Sequence, residues 1–130
     1  MDWVPLLEAA RAAREHSYAP YSHFAVGAAL LAEDGSIWAG ANVENRSFGL
    51  ALCAERAAVA AAIATGRRRF QAVLVLTDAD PPAPPCGLCR ETLTEFCAPD
   101  LPIRLVNLAG DLRQFRLGEL FPEPFAFAPR

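Results

Sequence analysis

A chain of 130 residues with a formal charge of −3 has the size of one domain that can bury its own core, and its acidic balance argues against a nucleic-acid-binding module. All twelve basic side chains are Arg and none is Lys, which excludes Schiff-base and lysine-base chemistry. No apolar run approaches the roughly 20 residues that a spanning helix needs, and Met1-Asp2-Trp3-Val4-Pro5 has no secretory-signal pattern. The expectation is a single domain over residues 1–130 in a reducing cytoplasm, with neither a membrane nor a nucleic acid as partner.

Apolar positions at helical spacing predict a first helix from about Trp3 to Glu15, with Pro5 tolerated in its first turn. Tyr18-Ala19-Pro20-Tyr21-Ser22 interrupts it. Phe24 to Leu31 then reads as a buried strand, with small residues where another layer comes close. Asp34-Gly35 supplies a tight turn, and a second strand from about Ser36 to Ala41 returns as a hairpin, delivering Asn42, Glu44 and Asn45 to its end. A helix from about Cys53 to Thr65 is nearly all Ala after Arg56 and stops at Gly66. Such a helix needs cover on several sides, from the sheet and from other protein such as a second subunit.

Phe70 to Thr77 predicts a third, central strand, and Pro81-Pro82-Ala83-Pro84-Pro85 fixes an extended approach to a helix from about Gly87 to Phe96. Short strands follow at Ile103 to Leu108 and Leu112 to Leu117, before a Pro-punctuated tail with Phe121, Phe125 and Phe127. This order predicts a three-layer α/β/α sandwich on a mixed sheet of about five strands.

The chemistry is concentrated in Cys53-Ala54-Glu55-Arg56 and Pro85-Cys86-Gly87-Leu88-Cys89-Arg90. Cys86 and Cys89, three apart at a helix start, project their thiols to one side. Cys53 opens the other helix, and both helix N-termini favour thiolate over thiol. Three thiolates supply three of the four ligands of tetrahedral Zn²⁺ and leave one position for water, the pattern of a catalytic zinc site. Glu55, in the first turn, can approach that open side without being a ligand. Because three thiolates leave zinc with net negative charge, Arg56 and Arg90 are candidates to donate hydrogen bonds to the sulfurs. Taken alone, Cys86 and Cys89 also fit a thioredoxin-like pair or half of a structural zinc site. A four-cysteine site would need Cys97, which lies about two turns or ~12 Å beyond Cys89 along a helix and is expected to face the core.

Cys-x-Glu followed by Pro-Cys-x-x-Cys is the zinc deaminase signature with Cys in the place of the first His. Further segments resemble the short, homotetrameric cytidine deaminases: Tyr21 to Ala29, Asn42-Val43-Glu44-Asn45, Phe48-Gly49-Leu50 and Leu117-Gly118-Glu119-Leu120. The resemblance covers roughly residues 3 to 125. It implies one zinc per subunit held by Cys53, Cys86 and Cys89, and hydrolysis of cytidine and deoxycytidine to uridine and deoxyuridine, with Glu55 as the proton shuttle. It also implies that Phe24 packs on the nucleoside, Asn42 and Glu44 hold sugar hydroxyls, the Ala54 backbone N–H binds the base carbonyl, and Phe125 stacks on the pyrimidine of a neighbouring subunit.

A carboxylate at the sugar would repel a 5′-phosphate, which favours free nucleosides. The chain departs from the family pattern at Arg46, at Phe48, where the family usually has Tyr, and at Glu91, which could pair with Arg56 or Arg90. These departures keep open a deaminase of a modified cytosine nucleoside or nucleoside antibiotic. A zinc-stabilised interaction domain without catalysis is the alternative from another class.

Overall fold

The computed structural model describes residues 1–126, so Phe127 lies outside the described residues. Chain order is α1 (Val4–Arg14), β1 (Gly27–Ala32), β2 (Ile37–Ala41), a 3₁₀ turn (Phe48–Leu50), α2 (Ala54–Ala64), β3 (Phe70–Thr77), α3 (Gly87–Phe96), β4 (Pro102–Asn107), β5 (Leu112–Arg116) and α4 (Leu117–Leu120). The strands form one mixed sheet in the order β2-β1-β3-β4-β5, with only the β3–β4 pair parallel. β3 is the central strand, as its β-rich run predicts. The 3₁₀ turn and the one-turn α4 have no counterpart in the sequence reading, because three and four residues are too short to show a period.

Strand alternation sorts the core into two layers. On one face Ala29 of β1, Ala72, Leu74 and Leu76 of β3 and Val106 of β4 pack on Leu6 and Ala10 of α1. On the other, Leu30, Val73, Val75, Ile103 and Leu105 pack on Ala58, Val59 and Ala62 of α2 and Leu93 of α3. Helices therefore cover both faces, which is why β3 reads as an almost continuous apolar run. The result is an α/β sandwich with α1 on one side and α2 and α3 on the other. Among the described residues no helix is long and apolar enough to cross a membrane.

The first strand begins at Gly27, three residues later than expected from Phe24. The reason is local. Asn42 Oδ1 accepts the Val26 N–H at 2.9 Å and Asn42 Nδ2 donates to the Phe24 carbonyl at 2.7 Å. A side chain thus takes the place of a neighbouring strand, and Phe24 is free to turn away from the sheet.

Two glycines set the spacing between layers. A Cβ on Gly27 would lie 2.0 Å from the Ala10 carbonyl oxygen of α1, and one on Gly40 would lie 2.5 Å from Ala58 N and 2.7 Å from the Ala54 carbonyl oxygen of α2. Backbone cannot yield as a flexible side chain can, so any side chain at Gly40 pushes α2 off β2 and displaces the helix turn that carries Glu55. The φ at Gly40 is ordinary, so Ala would relieve unfolded-state entropy there, but the overlap dominates. Gly40→Ala is expected to destabilise by about 1–3 kcal/mol, read as a lower urea midpoint with an unchanged slope; an equal or higher midpoint would contradict the close approach.

Candidate active site

Cys53 and Cys86 are the N-cap residues of α2 and α3, both with extended backbone, and neither side chain caps its own helix. Their thiols are therefore free to point at each other. Sγ of Cys53 lies 3.6 Å from Sγ of Cys86, which lies 3.4 Å from Sγ of Cys89. All three sulfurs are within 4.8 Å of one another, and no other such cluster occurs among the described residues. Four-coordinate zinc with Zn–S near 2.3 Å sets neighbouring sulfurs roughly 3.8 Å apart. The donor set thus fits the ion in spacing and in chemistry. Cys97 is not part of it: it packs at the edge of the core beside α3, and burial pushes its thiol up to about 12.

Cys53 and Cys89 hold their protons unequally. Hydrogen bonding from Cys89, with help from the Arg56 guanidinium, lowers Cys53 to about 5. Cys89, fully buried, moves far in the opposite direction because it donates to Cys53 and because burial disfavours its charge. Arg56 Nη2 lies 3.8 Å from Cys53 Sγ and donates to the Ala51 carbonyl at 3.1 Å, so it braces the sulfur from the loop side. Its Nε is buried with no hydrogen-bond partner.

Arg90 behaves differently from the sequence expectation. Its Nε donates to the Pro85 carbonyl at 2.8 Å and its Nη1 to the Leu120 carbonyl at 2.7 Å. It therefore staples the approach to α3 onto α4 and gives nothing to the thiols. Glu91 is exposed and forms an ion pair with neither Arg56 nor Arg90, so it does not draw Arg56 away from the thiols.

Glu55 is only 5% exposed although it carries a carboxyl group. Burial raises its pKa above the usual carboxylate range, and the charge on Cys53 adds to that; hydrogen bonds, including one with Cys89, work in the opposite direction. A buried carboxyl group beside a thiol cluster can hold a proton and release it, which a solvated one at neutral pH does poorly.

These groups open into a pocket of about 230 Å³ lined by Phe24, Asn42, Glu44, Ala54, Glu55 and Cys86 among others, at the carboxyl end of β3 where Thr77 closes its wall. Seven of the predicted site residues meet there: Phe24, Asn42, Glu44, Cys53, Ala54, Glu55 and Cys86. The Ala54 N–H is the first of α2 and has no carbonyl within its own helix to bond. Phe125 is different, for it is 76% exposed and lines no part of this pocket.

The two sugar candidates are more committed than the sequence suggests. Asn42 Oδ1 accepts from Ser17 Oγ as well as Val26 N, leaving one N–H of its amide uncommitted. Glu44 Oε1 accepts the backbone N–H groups of Tyr21 at 2.9 Å and Ser22 at 3.2 Å, and its Oε2 accepts the Ser22 hydroxyl. The Ser22 hydroxyl bond is the main reason its pKa lies below the usual carboxylate value. Glu44 is thus held as an anion at the pocket mouth.

Buried Asn107, at the end of β4, escaped the sequence reading. It donates to the Ala79 carbonyl at 3.0 Å and to Asp111 Oδ2 at 3.1 Å, while Arg113 donates to the Pro82 carbonyl at 3.3 Å. These bonds hold the segment that delivers Cys86. The polar residue ending an apolar strand was its only sequence signal.

The family model for the cytidine and deoxycytidylate deaminase zinc-binding region matches residues 4–104. The chain therefore belongs to the cytidine and deoxycytidylate deaminase family, whose matching region is a zinc-binding one. Among individual proteins, it is 48% identical over 125 residues to a cytidine deaminase of Halalkalibacterium halodurans, covering 96% of this chain and 95% of that protein. A cytidine deaminase of Sporosarcina psychrophila is 44% identical over 126 residues, covering 97% and 93%. The crystal structure of cytidine deaminase from Burkholderia pseudomallei superposes with a TM-score of 0.92 at 47% identity, covering 96% of this chain and all of that one.

One zinc per chain is expected in the purified protein, bound by the three converging thiols. Metal analysis should find it lost in Cys53→Ala, Cys86→Ala and Cys89→Ala and kept in Cys97→Ala; loss in Cys97→Ala, or retention in Cys89→Ala, would contradict the ligand assignment.

Proposed function

We propose that this protein hydrolyses cytidine and 2′-deoxycytidine to uridine and 2′-deoxyuridine with release of ammonia, serving pyrimidine salvage in the cytoplasm. The observation that carries the reading is a buried carboxyl group, Glu55, beside a three-thiol cluster inside a pocket that also presents Phe24, Asn42 and Glu44. Cytidine deaminase relatives of nearly the same length point the same way.

Zinc, when held by Cys53, Cys86 and Cys89, acidifies a water molecule and so supplies the nucleophile at neutral pH. Everything else is the work of this chain's own groups. Glu55 takes a proton from water and passes it to ring N3 as an oxygen adds to C4. It then takes the second proton of that water and gives it to the leaving amine, so that ammonia departs and a C4 carbonyl remains. Atoms balance with one carboxyl group as carrier. The raised pKa of buried Glu55 suits both halves of the task, since the same group must accept and then donate.

In this reading the Ala54 N–H binds the base carbonyl, the Phe24 ring supports the nucleoside, and the spare capacities of Asn42 and Glu44 take sugar hydroxyls. Anionic Glu44 at the pocket mouth disfavours a phosphate on the sugar, which selects nucleosides over nucleotides.

In this reading a second chain completes the pocket. Phe48, Leu50, Leu88 and Phe125 are 78%, 70%, 64% and 76% exposed, large apolar side chains that contact with another chain would cover. The outer side of α2 adds exposed Ala60 and Ala64. We assign these surfaces to contacts in a homotetramer in which Phe125 closes the pocket of a neighbour.

The activity test is a panel of nucleosides and nucleotides with zinc-loaded protein. Cytidine and deoxycytidine should be consumed and their 5′-monophosphates spared; preference for a modified cytosine nucleoside over both would favour the alternative substrate class. Glu55→Gln should keep zinc and melting temperature while activity falls about 10²–10⁴-fold. Undiminished activity in Glu55→Gln would remove the proton-shuttle role. For the assembly, co-refolding Glu55→Gln chains with Phe125→Ala chains should regenerate activity, because mixed tetramers contain sites with both groups intact. No recovery above the separate variants would contradict a site shared between chains.

A further inference from the structure

We infer that Ser22 is a positioning residue that ties sugar recognition at Glu44 to the placement of the Phe24 ring, an assignment that rests on the nucleoside reading above. The Ser22 hydroxyl donates to Glu44 Oε2 and accepts the Phe24 N–H at 3.0 Å. The Ser22 N–H donates to the other carboxylate oxygen at 3.2 Å. A hydroxyl has one hydrogen, and here it goes to the carboxylate, so the lone pairs face Phe24. The chain of donors runs in one direction, from Phe24 N–H through Ser22 to Glu44, and each bond polarises the next.

Phe24 is gripped from its other side as well. Asn42 Nδ2 donates to its carbonyl at 2.7 Å, so both backbone groups of Phe24 are bonded to side chains and neither to a strand. His23, between Ser22 and Phe24, has φ of 57°, a left-handed conformation that costs a non-glycine residue free energy and turns the chain back so that the Ser22 hydroxyl meets the Phe24 N–H. Five residues, Ser22, His23, Phe24, Asn42 and Glu44, thus form one frame along the mouth of the pocket.

The capacity of Glu44 makes the coupling specific. An ionised carboxylate has about four acceptor sites; Tyr21 N, Ser22 N and the Ser22 hydroxyl occupy three. The site left on Oε2 is the one available to a sugar hydroxyl, and its direction is set by the Ser22 bond to the same oxygen. Removing the hydroxyl frees Glu44 Oε2 to rotate and leaves the Phe24 N–H without a partner. The sugar contact and the ring then lose their shared reference together. Neither touches the reacting atoms, so the loss falls on binding that ground state and transition state have in common.

Steady-state kinetics of Ser22→Ala with cytidine test this. KM should rise about tenfold, the effect of losing a hydrogen bond to a charged group, with kcat within about twofold of wild type. Ser22→Thr keeps the hydroxyl and should hold KM within about threefold. In a double-mutant cycle with Glu44→Gln, the two losses should fall well short of multiplying, because the second change removes a partner already lost. If Ser22→Ala does not fold, Ser22→Cys, similar in shape but a weak donor, carries the same expectation. A wild-type KM in Ser22→Ala, equal damage in Ser22→Thr, a kcat loss without a KM change, or fully multiplicative losses would each overturn the assignment while leaving the deaminase reading intact. If the wild-type protein turned over no nucleoside, both would fall.

Discussion

The fold depends on bringing two helix N-termini to one point. Each follows a strand of the same sheet through a connecting segment, and each begins at a cysteine whose backbone is extended while the next residue is already helical. That geometry does two things at once. It aims the first unpaired N–H groups of α2 and α3, with their partial positive charge, toward the thiols, and it leaves those thiols unburdened by capping duty. The supporting structure follows from this requirement. Gly40 lets α2 sit against β2 at backbone contact distance; Asn107, Arg113 and Arg90 hold the Pro-rich segment and the start of α3 in place.

Charge is the second constraint. Three thiolates exceed the charge of a divalent zinc, and Arg56 is the cation placed to balance them, since Arg90 is turned away to carbonyl groups. Glu55 adds a further acidic group in a nearly dry position. Burying a second uncompensated anion there would be expensive, so the carboxyl group holds its proton more tightly than an exposed one. The arrangement that looks unfavourable for stability is the one that suits the proton-carrying role proposed for Glu55, and the carboxylate at the pocket mouth shows the contrast. Glu44, given three donors, is held below the usual carboxylate pKa, whereas buried Glu55 is held above it, a contrast that suits the binding and proton-carrying roles proposed for them.

Much of this was legible in the residues. β3 and α3 fall on the boundaries that the apolar run and the Pro-rich approach predict, and the three metal candidates come together because i and i+3 thiols on one helix start share a direction. What was not legible lies in side chains that bond backbone far away in sequence. By position Asn42 reads only as a site candidate, its sugar role being what the family resemblance implies, yet most of its amide is spent replacing a strand beside Phe24 and Val26, which also shortens β1. Arg90 sits next to a cysteine in sequence but turns toward Leu120, thirty residues on. Ser22 carries no periodic or spacing signal at all, and its part emerges only once Glu44 and Phe24 are seen on either side of one hydroxyl.

The central claim joins metal, carboxyl group and nucleoside in one reaction, and a zinc titration tests it most directly. Metal-free protein is reloaded stepwise while cytidine, uridine and ammonia are followed in the same vessel. Turnover is expected to rise in proportion to bound zinc up to one ion per chain, with uridine and ammonia appearing in equal amounts as cytidine disappears. Protein carrying a full equivalent of zinc on Cys53, Cys86 and Cys89 that leaves cytidine and deoxycytidine untouched would contradict the account.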